Sequence, residues 1–268
     1  MRLNQALKRS KTSFKLEKMK KTSLLLGGII VLLITSSGYA LEISGGSIYT
    51  KFELSGKIKS EGTDIDMEKD LGMEDEESWG GFFEIDGKRH HLLASLSTQK
   101  FEGSKILEAP FEFRNKTYPA STRVDSKIEY NLYELQYHYD LLDIENRILG
   151  FSLASLFKVS VYEIDANIKD SSFGYDETYQ ETLFVPTIGF LIRTNLTKFL
   201  NLTAQASTIE YSGDSYTEYK AFLEISPIES IGLGIGYEGR KVDYAEKLDL
   251  IDIESKGAFA QLRFLYKF

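Results

Sequence analysis

The chain has 268 residues, with 40 acidic against 32 basic side chains, a net charge of −8, 13% aromatic residues and no cysteine. Without cysteine there is no thiol catalysis, no cysteine-ligated metal and no disulfide framework. The acidic balance excludes nucleic acid as a partner, because neutralising phosphates needs a basic surface.

Residues 1–40 run against that balance. They hold eight of the basic residues and one acid, Glu17. A basic cluster ends at Lys20 and Lys21, an apolar run covers Leu24 to Ile34, and small residues stand at Gly38 and Ala40. This is the layout of an export signal with a small-x-small cleavage site. The run falls short of the roughly 20 apolar residues that span a bilayer. We expect a signal peptide over 1–40 and a single domain over 41–268. "MKKTSLLLGG" from Met19 is a complete signal start by itself, so Met19 is an alternative start. With eight of 32 basic and one of 40 acidic residues removed, residues 41–268 carry 24 against 39, a net charge of −15.

Beyond Leu41 the chain reads in twos. Ile48, Thr50, Phe52, Leu54 and Ile58 alternate with Ser47, Lys51, Glu53, Ser55 and Lys57. Leu149, Phe151 and Leu153 begin a second series that Phe157, Val159 and Val161 extend. Phe184, Ile188, Phe190 and Ile192 form a third; Leu202, Ala204 and Ala206 a fourth; Ile231, Leu233, Ile235 and Tyr237 a fifth. A period of two with one apolar face is a strand pattern. Ten strands are predicted, at about 46–59, 78–87, 89–102, 127–141, 146–163, 180–194, 200–212, 216–226, 230–243 and 253–268, with eight or twelve as alternatives. Short connections at 86–89, 141–147, 195–200 and 226–230 alternate with longer polar ones at 60–77, 103–126 and 164–180 and two lesser ones near 212–216 and 244–252. That describes an all-β, antiparallel, up-and-down barrel.

Charges on the polar face decide which kind of barrel. A transmembrane barrel shows its apolar face to lipid and turns its polar face inward. The predicted lumen set is Lys51, Glu53, Glu84, Glu134, His138, Lys158, Arg193, Lys220, Glu224, Glu238, Arg240 and Arg263. Tyr133, Tyr137, Tyr139, Phe264, Tyr266 and Phe268 are predicted at the membrane interface, where aromatic girdles form. The ending "GAFAQLRFLYKF" keeps a strict alternation to Phe268. It should be the closing strand, paired with the first near Ile48–Leu54, because an open sheet in lipid leaves costly unpaired edge groups.

With its export signal, its meander and its terminal aromatic strand, the chain resembles small outer-membrane β-barrel proteins of diderm bacteria. "GTDIDMEKDLGM" (62–73), "YPASTRVDSKIEYNLYELQYHYDLL" (118–142) and "IESIGLGIGYE" (228–238) are similar to stretches of a family of barrels without settled activity. The resemblance implies an outer-membrane location, lipid and lipopolysaccharide as surroundings, and a barrel-assembly machinery reading the C-terminal strand. It brings no catalytic residues and no cofactor.

Three functions are compatible with that expectation. The first is a non-enzymatic barrel with a structural or surface-interaction role, acting through long acidic outer loops. The second is a narrow channel for small or apolar solutes; lumen charges of both signs count against it, since they should pair and plug. The third is a surface enzyme, a protease or a lipid A-modifying hydrolase. Catalysis at neutral pH favours histidine, yet His90, His91 and His138 all fall beside the short turns. The loop 61–77 holds nine acids with Ile65, Met67, Leu71 and Met73 interleaved. It is expected to be a solvated surface loop. The alternatives are a divalent-cation site at Asp64, Asp66 and Asp70, which lacks the spacing of a calcium loop, or a segment packed into the barrel mouth.

Overall fold

A computed structural model describes residues 41–60, 63–113, 116–145, 150–170, 172–211, 213–246 and 249–267. The expected export segment and Phe268 lie outside the described residues. Thirteen strands run in order: β1 (Glu42–Ser60), β2 (Thr63–Asp66), β3 (Glu76–Asp86), β4 (His90–Ile106), β5 (Phe111–Phe113), β6 (Lys116–Tyr118), β7 (Arg123–Glu145), β8 (Gly150–Asp170), β9 (Tyr175–Asn195), β10 (Leu200–Tyr211), β11 (Asp214–Ile228), β12 (Ile231–Glu246) and β13 (Asp249–Lys267). Ten of them form an antiparallel barrel in which each strand pairs with its neighbour in the meander, and β13 pairs back onto β1 from Glu42–Lys267 to Lys59–Leu250. Closure removes the edges that lipid could not satisfy. The short β2 extends the β1 edge above the end of β3, and β5 and β6 form a separate hairpin.

Register fixes the tilt. From Ile48 the cross-strand partners run one way through Gly80, Ser97, Leu132 and Tyr162 to Leu183 on β9. The other way they run through Gln261, Gly234, Glu224 and Asn201 to Asn195, 12 residues further along the same strand. A shear of that size on ten strands corresponds to a tilt of roughly 40° and a narrow interior.

The outer wall carries a band that water would not tolerate at this size. Trp79 (66% exposed), Phe83, Leu96, Ile188 (66%), Phe190, Leu233, Ile235 and Phe264 all point outward. Contiguous apolar surface of this extent belongs against lipid. Tyr49 packs on Trp79 at 5.1 Å between ring centroids at the upper rim of the band, with Tyr133 close by on the neighbouring rows. Above this rim the outer face turns charged, with Lys51, Glu53, Lys100, Glu102, Lys127 and Glu129.

Several strands continue well past the 9–11 residues that a crossing needs. The strand β7 has 23 residues, and β8 and β9 have 21 each. This corrects the predicted loops. Most of 164–180 is strand, because Ile164, Ala166 and Ile168 continue the inward face of β8, opposite β9 down to its start at Tyr175. The interval 103–126 contains the end of β4, the β5–β6 hairpin and the start of β7. Only the β1–β3 and β4–β7 connections are long.

Candidate functional site

The described lumen is filled in layers. Nearest the short turns, His91 lies between two carboxylates, with Nδ1 at 2.5 Å from Asp86 and Nε2 at 2.9 Å from Asp140. Its ring stacks on His138 at 5.5 Å. The guanidinium of Arg193 donates to Nδ1 of His138 at 2.9 Å, and the Gln136 amide sits at 2.8 Å from Nε2. Arg193 also reaches Glu84 at 3.4 Å. Arg263 bridges Glu84 at 3.7 Å and Glu224 at 2.6 Å, and Gln261 donates to Glu224 at 3.1 Å.

The next layer centres on Lys158, buried between Glu134 at 2.7 Å and Glu218. Ser207 and Tyr216 donate to the Glu218 carboxylate at 2.5 and 3.1 Å. Beside it Lys220 and Arg240 flank Glu238, at 3.4 and 3.8 Å. The Lys220 ammonium lies 4.2 Å from the Phe259 ring centre, and the Arg240 guanidinium lies 5.7 Å from that of Phe52. Opposite charges in a dry lumen survive only as such pairs, because a lone buried ion is costly.

Above the charges the interior becomes apolar. Ile65, Met67, Leu71 and Met73 of the acidic segment are buried against Phe52, Leu54, Phe101, Leu107, Tyr118, Val124 and Ile168. Met67 has no exposed surface. The segment is fastened to the wall. Met73 bridges to Gly103, Ser126 donates to the Leu71 carbonyl at 3.2 Å, and Lys105 donates to the Lys69 carbonyl. Gly103 is required there, because an added Cβ would run into the Leu71 carbonyl. Gly72 takes the turn with φ of 63°. Tyr118 from the β5–β6 hairpin roofs the cluster. Burial and the nearby Glu177, Asp170 and Asp176 push its phenol up to about 12, so it stays neutral.

Placement of the predicted residues follows from this. Glu84, Glu134, His138, Lys158, Arg193, Lys220, Glu224, Glu238, Arg240 and Arg263 face the lumen. Lys51 and Glu53 do not. Both are exposed on the outer wall, Lys51 beside Asp75, while Phe52 and Leu54 point inward. The reason is height: above the bilayer the inner face packs the apolar plug and the outer face meets water. The expectation of a solvated 61–77 loop is corrected for the same reason; Asp64, Glu68, Glu74, Asp75 and Glu77 are exposed, and its four apolar side chains fill the mouth. Tyr137, Tyr139, Phe264 and Tyr266 lie on the outer face toward the short turns, whereas Tyr133 belongs to the upper rim. Asp66 and Asp70 accept backbone N–H groups of their own turn, from Lys69 at 2.9 Å and Asp66 at 2.8 Å, and Asp64 is exposed on β2. Among the described residues no cluster of three or more His, Asp or Glu could hold a metal ion.

Asp86, Asp140 and Glu218 complete the network and were not singled out from sequence. All three were legible, since each shares strand parity with a predicted lumen residue: Asp86 with Glu84, Asp140 with His138 and Glu218 with Lys220. Beside the inward Gly232, Gly234 and Gly236 lie the side chains of Glu224, Gln261 and Phe222.

Chemically the histidines are committed. Both ring nitrogens of His91 face carboxylates, and both of His138 face Gln136 and Arg193, leaving no nitrogen to exchange a proton with a substrate. His90 is on the outer face, bonded through Nδ1 to the Tyr137 hydroxyl at 2.7 Å.

Among solved structures, the outer membrane protease OmpT from Escherichia coli is similar, with a TM-score of 0.51 and 9% identity over 85% of this chain and 97% of that one. The chain has the fold of an outer-membrane barrel. The transport unit of the autotransporter AIDA-I from Escherichia coli matches at a TM-score of 0.40 and 7% identity, covering 85% and 91% of the two chains. Ail from Yersinia pestis matches at 0.31 and 13%, covering 82% and 99%. No family model matches the sequence, and no curated protein matches it. At 9% identity the likeness to OmpT is one of fold alone, and the function of this barrel has to come from its own side chains.

Proposed function

We propose that this protein is a sealed, non-enzymatic barrel of the bacterial outer membrane that serves as a scaffold for surface interaction. One observation carries the reading: the apolar segment at Ile65, Met67, Leu71 and Met73 stoppers a lumen whose charges are already paired. A conducting path would need unpaired polar lining or a ring of one charge. A channel is further disfavoured because the side chains of Glu224, Gln261 and Phe222 cover Gly232, Gly234 and Gly236 on the inner wall. The enzyme reading loses its support where every lumen histidine nitrogen has a protein partner.

The location rests on the apolar outer band and on the signal-like residues 1–40, which would direct export and be cleaved after Ala40. Lipopolysaccharide and lipid would then contact the band and its aromatic rims. The barrel-assembly machinery would read the alternating strand that ends at Phe268.

Purified full-length protein in planar bilayers tests the reading. Conductance should stay at the bare-membrane baseline, and reproducible single-channel steps from the unmodified protein overturn it.

A further inference from the structure

Between the ion pairs and the plug lies a layer whose hydrogen bonds do not close. Gln99 is 2% exposed and Ser255 5%, and both face the lumen. Among the described residues, Gln99 Nε2, Ser255 Oγ and Arg240 Nη1 are buried and have no hydrogen-bond partner. They come from three strands, β4, β13 and β12, yet meet around one hydroxyl. Tyr130 donates to Gln99 Oε1, and Ser255 and Arg240, cross-strand partners of each other, reach the same hydroxyl from across the lumen. Phe52 and Phe101 of the plug cluster cover the layer. Arg240 lies 5.7 Å from the Phe52 ring centre, and Tyr130 packs on Phe101 at 6.4 Å.

We propose that this layer is a binding site for one small carboxylate anion of the size of acetate, closed over by the plug. The unused atoms decide the chemistry. Amide and guanidinium nitrogens only donate, so their partner must accept. The nearby acceptors are engaged: Gln99 Oε1 by Tyr130, Glu134 by Lys158, and Glu218 by Ser207 and Tyr216. A water would have to turn its own hydrogens toward the phenyl rings, whereas a carboxylate has none to place. Charge agrees. Glu238 serves both Lys220 at 3.4 Å and Arg240 at 3.8 Å, so that group carries one cation in excess, and the Arg240 contact is too long for a hydrogen bond. The opposite excess, Glu134 and Glu218 on Lys158, is met by the Ser207 and Tyr216 hydroxyls. An anion on Arg240 Nη1, with Gln99 and Ser255 as further donors, supplies the missing acceptor through charge-assisted bonds, which are the strong ones. The methyl group of an acetate would face Phe52 and Phe101.

This inference rests on the sealed-barrel reading and deepens it, since it gives the plug something to close over, yet its test is separate from conductance. The probe is radiolabelled acetate, brought to constant counts by equilibrium dialysis against the purified full-length barrel in detergent, with sodium sulfate holding the ionic strength. Uptake should saturate at one acetate per barrel. Gln99→Glu is nearly isosteric, puts a carboxylate where the amide was, and should abolish uptake. Gln99→Leu removes a donor without adding charge, and Arg240→Lys keeps the pair with Glu238 but loses Nη1. Each should weaken binding by about tenfold, the scale of one charge-assisted hydrogen bond. Lys51→Ala on the outer wall should bind as the unmodified protein does. The heat-modified gel shift reports that each variant is folded. No saturable uptake, or uptake that both Gln99 variants leave unchanged, overturns the proposal. A barrel that neither conducts nor takes up acetate refutes the site and leaves the sealed scaffold standing; one that binds acetate and also conducts keeps the site and overturns the seal.

Discussion

Lys158 shows what a single side chain contributes in this lumen. It is 3% exposed and lies between Glu134 and Glu218. Replacing it with alanine leaves two buried carboxylates facing each other, a change that costs about 3–5 kcal/mol where a buried pair is broken. The guanidinium unfolding midpoint in detergent should fall accordingly. The triple variant Lys158→Met/Glu134→Gln/Glu218→Gln should recover most of the loss, because no uncompensated charge remains. Lys51→Ala, on the outer wall beside Asp75 at 3.8 Å, should change stability by less than about 1 kcal/mol, as exposed pairs do. The same two lysines mark the reach of sequence reasoning. Alternation gives the period of a strand but not its phase, and phase was inferred by assigning apolar residues to lipid. That rule holds for β8, β11 and β12 inside the bilayer. It inverts on β1 above the rim, where Phe52 and Leu54 turn inward to the plug and Lys51 and Glu53 face water.

At the scale of elements, the β1–β3 connection behaves as a built part of the wall. Four buried apolar side chains contribute roughly 1.5–3 kcal/mol each on transfer from water. The close approach at Gly103 aligns the Leu71 and Gly72 backbone with β4. Gly103→Leu should push the segment out of the mouth, and Met67→Asp should do so by placing a charge in an apolar cluster. Lys69 is exposed on this segment but its carbonyl is held by Lys105. Trypsin should leave the unmodified protein intact at Lys69 and cleave both variants there, with the heat-modified gel shift of the barrel itself retained. Resistance equal to that of the unmodified protein would mean the segment is not held by these contacts. The apolar residues at 65, 67, 71 and 73 were legible in the sequence. Their destination was not, because the receiving surface exists only once β1, β4, β7 and β8 have closed around it. Strand length is hidden in the sequence for a related reason: the polar residues of 164–180 sit on a hairpin that projects into water on one face, so its alternation is weak although its ladder is complete.

For the whole molecule the proposed sealed barrel implies two seals in series. The plug closes the mouth, and beneath it the Glu134–Lys158–Glu218 and Glu84–Arg193–Arg263–Glu224 networks close the narrow interior that a ten-stranded barrel of this shear allows. The two seals have different physics. Apolar contacts hold the upper one to a loop that can be removed without touching a barrel strand. Ion pairs hold the lower one across strands on opposite sides of the lumen, so it belongs to the wall. Replacing residues 63–73 with a short Gly-Ser linker should therefore leave conductance at baseline, although the mouth is open. Adding Glu84→Ala, Arg193→Ala and Arg263→Ala to that excision should produce small, resolvable steps, because side chains from three strands no longer meet. If excision alone opens a stable conducting state, the lower network is not a seal, and the plug is then the gate of a pore rather than the lid of a scaffold.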